Sequence, residues 1–104
     1  MLISVCIPVY NGAETIVPLV EKIREVFRTA EHTFEIVMVN DGSKDASDIV
    51  CTELAQKHRF ITYVSLRKNS GEHNAVMCAL NHCVGDVAVI IDDDFQNPPA
   101  EILN

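Results

Sequence analysis

An apolar run at the start of the chain, LISVCIPV from Leu2 to Val9, indicates the class of fold. Its apolar residues follow one another instead of alternating with polar ones, which is typical of a strand that is buried on both faces. Such strands occur in parallel sheets, because the helices that connect parallel strands cover the faces of the sheet. The run therefore predicts an α/β protein.

Strands and helices alternate along the rest of the chain. Apolar residues recur at helical spacing from Ile16 to Phe27, and Pro18 must lie in the first turn of that helix or kink it. Further strands are predicted at FEIVMVN (34–40), ITYVSL (61–66) and DVAVII (86–91), and further helices after Asp45 or Ser47, from Glu72 to Cys83, and from NPPAEIL (97–103) onwards. The order βαβαβαβ implies a parallel sheet with right-handed crossovers and helices on both faces.

Composition excludes several classes of partner. Of the 104 residues, 48% are hydrophobic and 22% charged, the balance of a soluble globular domain. The formal net charge of −7 argues against a nucleic acid or an anionic membrane surface as the main partner. A phosphate ligand can still bind to such an acidic chain if a divalent cation lies between the phosphate and the protein. No apolar run approaches the ~18 residues of a membrane span.

Some side chains can be assigned an environment from the local pattern. The third helix carries Val76, Leu80 and Cys83 on one side. His58 is expected at the surface.

The sequence contains no C-x-x-C pair, and we expect the cysteines to be reduced, buried thiols of a cytosolic protein instead of disulfides or zinc ligands. They are Cys6, Cys51, Cys78 and Cys83.

Polar loops follow all four predicted strands. They are PVYNG (8–12), NDGSKD (40–45), RKNSGEHN (67–74) and DDDFQNPP (92–99). In open α/β sheets, ligands bind beyond the carboxyl ends of the strands. We therefore expect these loops to converge on one edge of the sheet and to form the functional site there.

The acidic loop predicts a metal site. Asp92 and Asp94 point to the same side while the chain stays extended. Carboxylate oxygens are hard ligands that suit Mg²⁺ or Mn²⁺, and Mg²⁺ usually takes few protein ligands and the rest from water and phosphates. The alternative is that one Asp caps the following turn and the others are solvated.

The other loops allow a functional and a structural interpretation. Asp41 can accept hydrogen bonds from a nucleotide base, or the Asp-Gly pair can be a simple turn. Tyr10 can stack on a ring or pack against the protein. Arg67 and Lys68 form the basic pair predicted at this edge; they can balance a phosphate or lie in a solvated loop.

Four segments together resemble the N-terminal half of family 2 glycosyltransferases. They are SVCIPVYNG (4–12), VNDGSKD (39–45), NSGEHNAVMCALNHCVGD (69–86) and IDDDFQNPP (91–99), in that order and spacing. The last two look most like the polyprenol-phosphate branch, which includes dolichyl-phosphate mannose synthases and undecaprenyl-phosphate sugar transferases. The resemblance implies a Rossmann-like GT-A fold, of which residues 1–104 are the nucleotide-sugar-binding part.

The resemblance also implies roles for the matching positions. Pro8 and Tyr10 would border the nucleotide base, and Asp41 would accept a hydrogen bond from it. Lys68 would bind the nucleotide as well, Asp92 and Asp93 would lie near the ribose and the diphosphate, and Asp94 with Gln96 would hold Mg²⁺ or Mn²⁺. The donor would be a UDP-sugar or a GDP-sugar. Gly12 and Asn40 depart from residues common in relatives, so the resemblance does not choose between the two nucleotides.

The remaining expectations concern the whole protein. The acceptor would be a polyprenyl phosphate or a glycan, and the acceptor site and catalytic base would lie beyond this chain. The protein would be cytoplasmic, at the cytoplasmic face of the membrane if C-terminal segments anchor it. The truncated chain is expected to self-associate or to be marginally stable. Two alternatives stay open, a metal-dependent phosphohydrolase and a non-catalytic nucleotide-binding module; dinucleotide binding is disfavoured because no G-x-G-x-x-G follows the first strand.

Overall fold

The computed structural model describes residues 1–66 and 71–91, apart from the side chains of residues 72 and 73. Its elements follow in the order β1 (Leu2–Val9), α1 (Ile16–Arg28), β2 (Thr33–Asp41), α2 (Ser47–Lys57), β3 (Ile61–Leu66), α3 (Glu72–His82) and β4 (Val87–Ile90). These strands form one sheet in the order β3-β2-β1-β4, and every neighbouring pair is parallel. The predicted parallel α/β fold is confirmed. The helix predicted from NPPAEIL lies outside the described residues.

Strand β1 is covered on both faces, as its apolar run predicts. On one face Val5 and Ile7 belong to a large apolar cluster that includes side chains of α1 and α2. On the other face Cys6 belongs to a smaller cluster with Ala75 and Ala79 of α3. Helices therefore lie on both faces of the sheet.

Pro8 is accommodated in a central strand. Cys6 of β1 accepts a hydrogen bond from the N–H of Ile91, on the β4 side, at 3.0 Å. Every second residue of a parallel strand points its backbone groups to the same side, so the nitrogen of Pro8 also faces the β4 side. The described pairing between β1 and β4 ends at Cys6. Proline has no backbone N–H to donate, but at this position the described ladder of hydrogen bonds between β1 and β4 has already ended.

Helix α3 does not bury the side that its larger apolar residues suggested. Ala75 and Ala79 are fully buried, whereas Leu80 is 37% exposed and Met77 is 46% exposed. Small residues allow the helix to approach the sheet closely over Cys6 of β1. Of the three residues that the sequence places on one side of this helix, Cys83 packs against the cluster, whereas Leu80 stays partly exposed.

A polar network holds the turn between α3 and β4 at the amino-terminal edge of the sheet. The Ser4 hydroxyl donates to Glu35 Oε2 at 2.5 Å and accepts a hydrogen bond from the N–H of Gly85 at 2.8 Å. The same carboxylate oxygen of Glu35 accepts from the N–H of Val84 at 2.8 Å. Ser4 is fully buried, so this network satisfies polar groups in the interior.

The cysteines are free, as expected, although only Cys6 and Cys51 are fully buried. The sulfur atoms of Cys6 and Cys83 lie 2.9 Å apart. Burial and this neighbouring thiol raise the pKa of Cys6 to about 12, so Cys6 is a protonated thiol near neutral pH.

The prediction that His58 lies at the surface was wrong, because its ring is half-buried and stacks on Phe60 at a centroid distance of 4.9 Å.

Candidate functional site

The carboxyl ends of β1 and β2 bring three of the predicted site residues to one edge of the sheet. Pro8 is buried near the end of β1, and Tyr10 follows that strand with 42% of its surface exposed. Asp41 is the last residue of β2 and is only 4% exposed. Convergence of the first two polar loops, predicted from the order of the elements, is therefore observed.

Pro8 and Asp41 lie on the same face of the sheet. Side chains of a strand alternate between the faces, and Cys6, two residues before Pro8, packs on the α3 side. In the neighbouring strand Val39, two residues before Asp41, belongs to the same α3-side cluster. Pro8 and Val39 are partners in the register of β1 and β2. The α3 face is therefore where these two residues could border one ligand.

The loop that carries Tyr10 is bound to the loop that carries Asp41. Asn11 has φ +53°, a left-handed conformation that asparagine tolerates better than most residues. Its N–H donates to the Ser43 hydroxyl at 2.9 Å, and its Oδ1 accepts from the N–H of Lys44 at 2.8 Å. These reciprocal bonds fix the two loops to each other.

A second set of bonds joins the starts of α1 and α2. The Ser47 hydroxyl accepts from the N–H of Gly12 at 2.9 Å, inside the protein. Asp45 accepts from the N–H of Ser47 at 3.0 Å and from the N–H of Ala13 at 3.2 Å. Desolvation opposes ionisation of Asp45, but the hydrogen bonds from Ser47 and Ala13 together outweigh it and lower its pKa. Asp45 therefore accepts a hydrogen bond from the first residue of α2, whose N-cap is Ala46, and the Ser47 hydroxyl binds the other loop.

A hydrogen-bonded chain of side chains supports the Asp41 loop from the opposite face of the sheet. Asn40 Oδ1 accepts from the N–H of Ser43 at 3.0 Å, and Asn40 Nδ2 donates to the Tyr63 hydroxyl oxygen at 3.1 Å. The Tyr63 hydroxyl donates in turn to Asp48 Oδ1, in the first turn of α2, at 2.6 Å. Burial and the bond to Asp48 raise the pKa of Tyr63 to about 12. The tyrosine is therefore neutral throughout the physiological range.

The proposed phosphate and metal residues lie outside the described residues. They are Lys68, Asp92, Asp93, Asp94 and Gln96. Within residues 1–66 and 71–91, no group of three or more His, Cys, Asp or Glu side chains could hold a metal ion. The donors predicted for the metal are carboxylate and amide oxygens, and this chemistry fits Mg²⁺ or Mn²⁺.

Sequence reasoning did not identify the residues that support the site. The Asn11-Gly12 pair is a turn signal that could have pointed to a left-handed asparagine. Ser43 stands in a loop that the sequence did single out. The partnership of Tyr63 with Asp48 has no signal, because the two residues are brought together only when α2 packs beside β3.

Comparisons with known proteins identify the family. The family model described as Glycosyl transferase family 2 matches residues 4–104. An undecaprenyl-phosphate 4-deoxy-4-formamido-L-arabinose transferase of Pectobacterium carotovorum is 43% identical over 103 residues, which cover 96% of this chain and 31% of that protein. The transferase of the same name from Pseudomonas fluorescens is 39% identical over 101 residues, which cover 96% of this chain and 30% of that protein. The chain thus spans just under a third of the length of these relatives.

Similar solved structures belong to GT-A glycosyltransferases. The mannosyltransferase PcManGT of Pyrobaculum calidifontis, in complex with GDP-Man and Mn²⁺, has a TM-score of 0.76 and 28% identity, covering 88% of this chain and 27% of that chain. S. aureus TarS 1–349, in complex with UDP-GlcNAc, has a TM-score of 0.73 and 26% identity, covering 90% of this chain and 27% of that chain. The expected GT-A fold is confirmed for this part of the domain.

Proposed function

Because the chain belongs to glycosyltransferase family 2, we propose that it forms the donor-binding part of an enzyme that transfers a sugar from UDP or GDP with inversion at the anomeric carbon. The observation that carries this proposal is the convergence of Pro8, Tyr10 and Asp41 at the carboxyl edge of the sheet. One of the similar structures binds GDP-Man and another binds UDP-GlcNAc, which supports a nucleotide-sugar as the ligand.

The base would bind on the α3 face of the sheet. Tyr10 is exposed enough to stack on it, and the buried Pro8 would limit the depth of the pocket. Asp41 would accept a hydrogen bond from an N–H group of the base, and a charged acceptor of this kind strengthens such a bond. Lys68, Asp92 and Asp93 would bind the ribose and the diphosphate.

A divalent cation would bind through oxygen ligands. Asp94 and Gln96 would hold Mg²⁺ or Mn²⁺, and Mn²⁺ is present in the similar PcManGT complex. When bound, the cation stabilises the negative charge that develops on the leaving diphosphate. The cation also reduces the electrostatic repulsion between the diphosphate and a chain whose net charge is −7.

The acceptor and the catalytic base belong to the proposal for the whole protein. The curated relatives are named as undecaprenyl-phosphate transferases, which supports a polyprenyl phosphate over a glycan as the acceptor. We assign the base to a part of the domain beyond residues 1–104, and therefore expect no transfer by this chain alone.

We also place the protein on the cytoplasmic side of the membrane. Among the helices described in residues 1–66 and 71–91, none is long and apolar enough to cross a membrane.

The chain is also proposed to self-associate. Strand β4 is an edge of the described sheet, and Val87 and Ile90 in it are 44% and 43% exposed. Val84, just before it, is 76% exposed. Exposed apolar edge strands favour pairing between molecules. Sedimentation velocity across a range of concentrations tests this, and a single monomeric species throughout would refute it.

Asp41→Asn is expected to lower the affinity for UDP or GDP by about fivefold, because a neutral acceptor replaces a charged one in the bond to the base. Inorganic pyrophosphate carries no base, so its affinity in Mn²⁺ should not fall. Isothermal titration calorimetry of both ligands measures the two effects.

The matched control for Asp41→Asn is Glu14→Gln. Glu14 is an exposed acid on the loop that follows Tyr10, so its replacement removes a similar charge without touching the proposed base site. It should leave both affinities close to those of the wild type. Equal losses for UDP and pyrophosphate in Asp41→Asn would show that Asp41 does not act through the base.

A further inference from the structure

We propose that a hydrogen-bond relay from Asp48 through Tyr63, Asn40 and Ser43 to Asn11 positions both residues of the base site, Tyr10 and Asp41. This inference rests on the proposed function, since it assigns Tyr63 and Asn40 as positioning residues for the donor nucleotide. Neither residue needs to touch the ligand. They act by fixing the two loops that carry the residues that do.

The direction of every bond in the relay is determined by its chemistry. The N–H of Ser43 can only donate, so the oxygen of the Asn40 amide must face it. The amide nitrogen then faces the Tyr63 hydroxyl and donates to it. That hydroxyl has a single hydrogen, which is left free to donate to Asp48. Each group therefore fixes the orientation of the next one.

Burial makes the relay costly to break. Asn40 is only 2% exposed, so its amide cannot replace a lost partner with bulk water. Without the Tyr63 hydroxyl, the buried amide nitrogen loses the acceptor that the structure gives it, and such a group carries a desolvation penalty. The elevated pKa of Tyr63 keeps its hydroxyl protonated near neutral pH, so the direction of the relay does not change in that range.

The relay reaches both site residues through Ser43. Asn40 directly precedes Asp41, and its side chain closes the loop at Ser43 around Gly42, which has φ +68°. The Ser43 hydroxyl accepts from the N–H of Asn11 at 2.9 Å. Asn11 directly follows Tyr10. A shift of Ser43 would therefore displace both loops together.

Tyr63→Phe is the variant that tests the relay, because it removes one hydroxyl and keeps the packed ring. Amide hydrogen exchange measured by NMR without ligand should show faster exchange at Ser43, whose N–H depends on Asn40. The N–H of Cys51 in the middle of α2 should keep its wild-type protection. Wild-type exchange at Ser43 in Tyr63→Phe would overturn the relay, whatever the protein binds.

Nucleotide affinity tests the consequence for the site. Calorimetry with UDP and with GDP in Mn²⁺ should show about threefold to tenfold weaker binding by Tyr63→Phe for the nucleotide that the wild type binds. Pyrophosphate should bind with wild-type affinity. Unchanged nucleotide affinity in a variant with faster exchange at Ser43 would overturn the positioning role.

A pair of substitutions at Asp48 separates the effect of the hydrogen bond from the effect of the charge. Asp48→Asn keeps an oxygen that can accept from Tyr63, whereas Asp48→Ala does not, and both remove the same charge from the first turn of α2. Asp48→Asn should therefore retain most of the nucleotide affinity and Asp48→Ala should lose it to the extent of Tyr63→Phe. Equal affinities in the two Asp48 variants would overturn the relay at its first bond, and failure of the wild type to bind either nucleotide would overturn the proposed function itself.

Discussion

Asp94→Asn is expected to remove the metal-dependent part of nucleoside diphosphate binding. In the presence of Mn²⁺ its affinity for UDP or GDP should fall by about tenfold or more, to the value that the wild type has in EDTA. The reason is that Asp94 is the proposed carboxylate ligand of the cation that bridges an acidic protein and an anionic ligand. Calorimetric titrations of the wild type and the variant with and without Mn²⁺ measure the difference.

The neighbouring acid provides the control for this prediction. Asp93→Asn removes the same charge from the same acidic cluster, but Asp93 is assigned to the nucleotide and not to the metal. Its effect on the Mn²⁺ dependence should be smaller. If Asp93→Asn instead cost more of the Mn²⁺-dependent affinity than Asp94→Asn, the metal ligand would have been assigned to the wrong carboxylate.

Gly85→Ala is expected to produce the largest loss of stability, about 2–3 kcal/mol of the free energy of unfolding. A Cβ atom at Gly85 would overlap Ser4 Oγ and would lie 2.9 Å from both the Leu2 oxygen and the Ser4 nitrogen. The last two atoms are backbone of the central strand, so they cannot move aside as a flexible side chain could. The displacement would also disturb the bond between the N–H of Gly85 and the Ser4 hydroxyl.

Gly71→Ala is the matched control for Gly85→Ala. Gly71 has φ +95°, but among the residues that the structure describes a Cβ atom there would meet nothing within 4 Å. Its replacement should cost about 1 kcal/mol through backbone strain alone. Urea unfolding at several protein concentrations compares the two variants. A smaller loss for Gly85→Ala than for Gly71→Ala would contradict the close packing of the α3–β4 turn against β1.

The parallel sheet could be predicted because its signals are local. The apolar run at Leu2–Val9 and the alternation of strand and helix patterns need no knowledge of distant contacts, and the structure confirms both. The buried side of α3 could not be predicted in the same way. How closely a helix approaches a sheet depends on its partner strands, and the close approach at Ala75 and Ala79 leaves the larger Leu80 partly exposed.

The position of the site could likewise be predicted from the sequence, whereas the contacts that support it could not. The edge at which Tyr10 and Asp41 meet follows from topology alone, because the loops after parallel strands share one edge. Their support does not follow from topology. The bond between Tyr63 and Asp48 joins residues of different elements, and neither side chain has a pattern in the sequence that indicates a polar partner.

We propose that this chain binds the nucleotide diphosphate of a sugar donor through a divalent cation. Isothermal titration calorimetry of the wild-type chain with UDP, GDP and NAD, each in Mn²⁺ and in excess EDTA, measures this binding. We expect binding of UDP or GDP in Mn²⁺, much weaker binding of the same nucleotide in EDTA, and no binding of NAD in either condition. Equal affinity for the nucleoside diphosphate with and without the metal, or binding of NAD as tight as that of UDP and GDP, would contradict it.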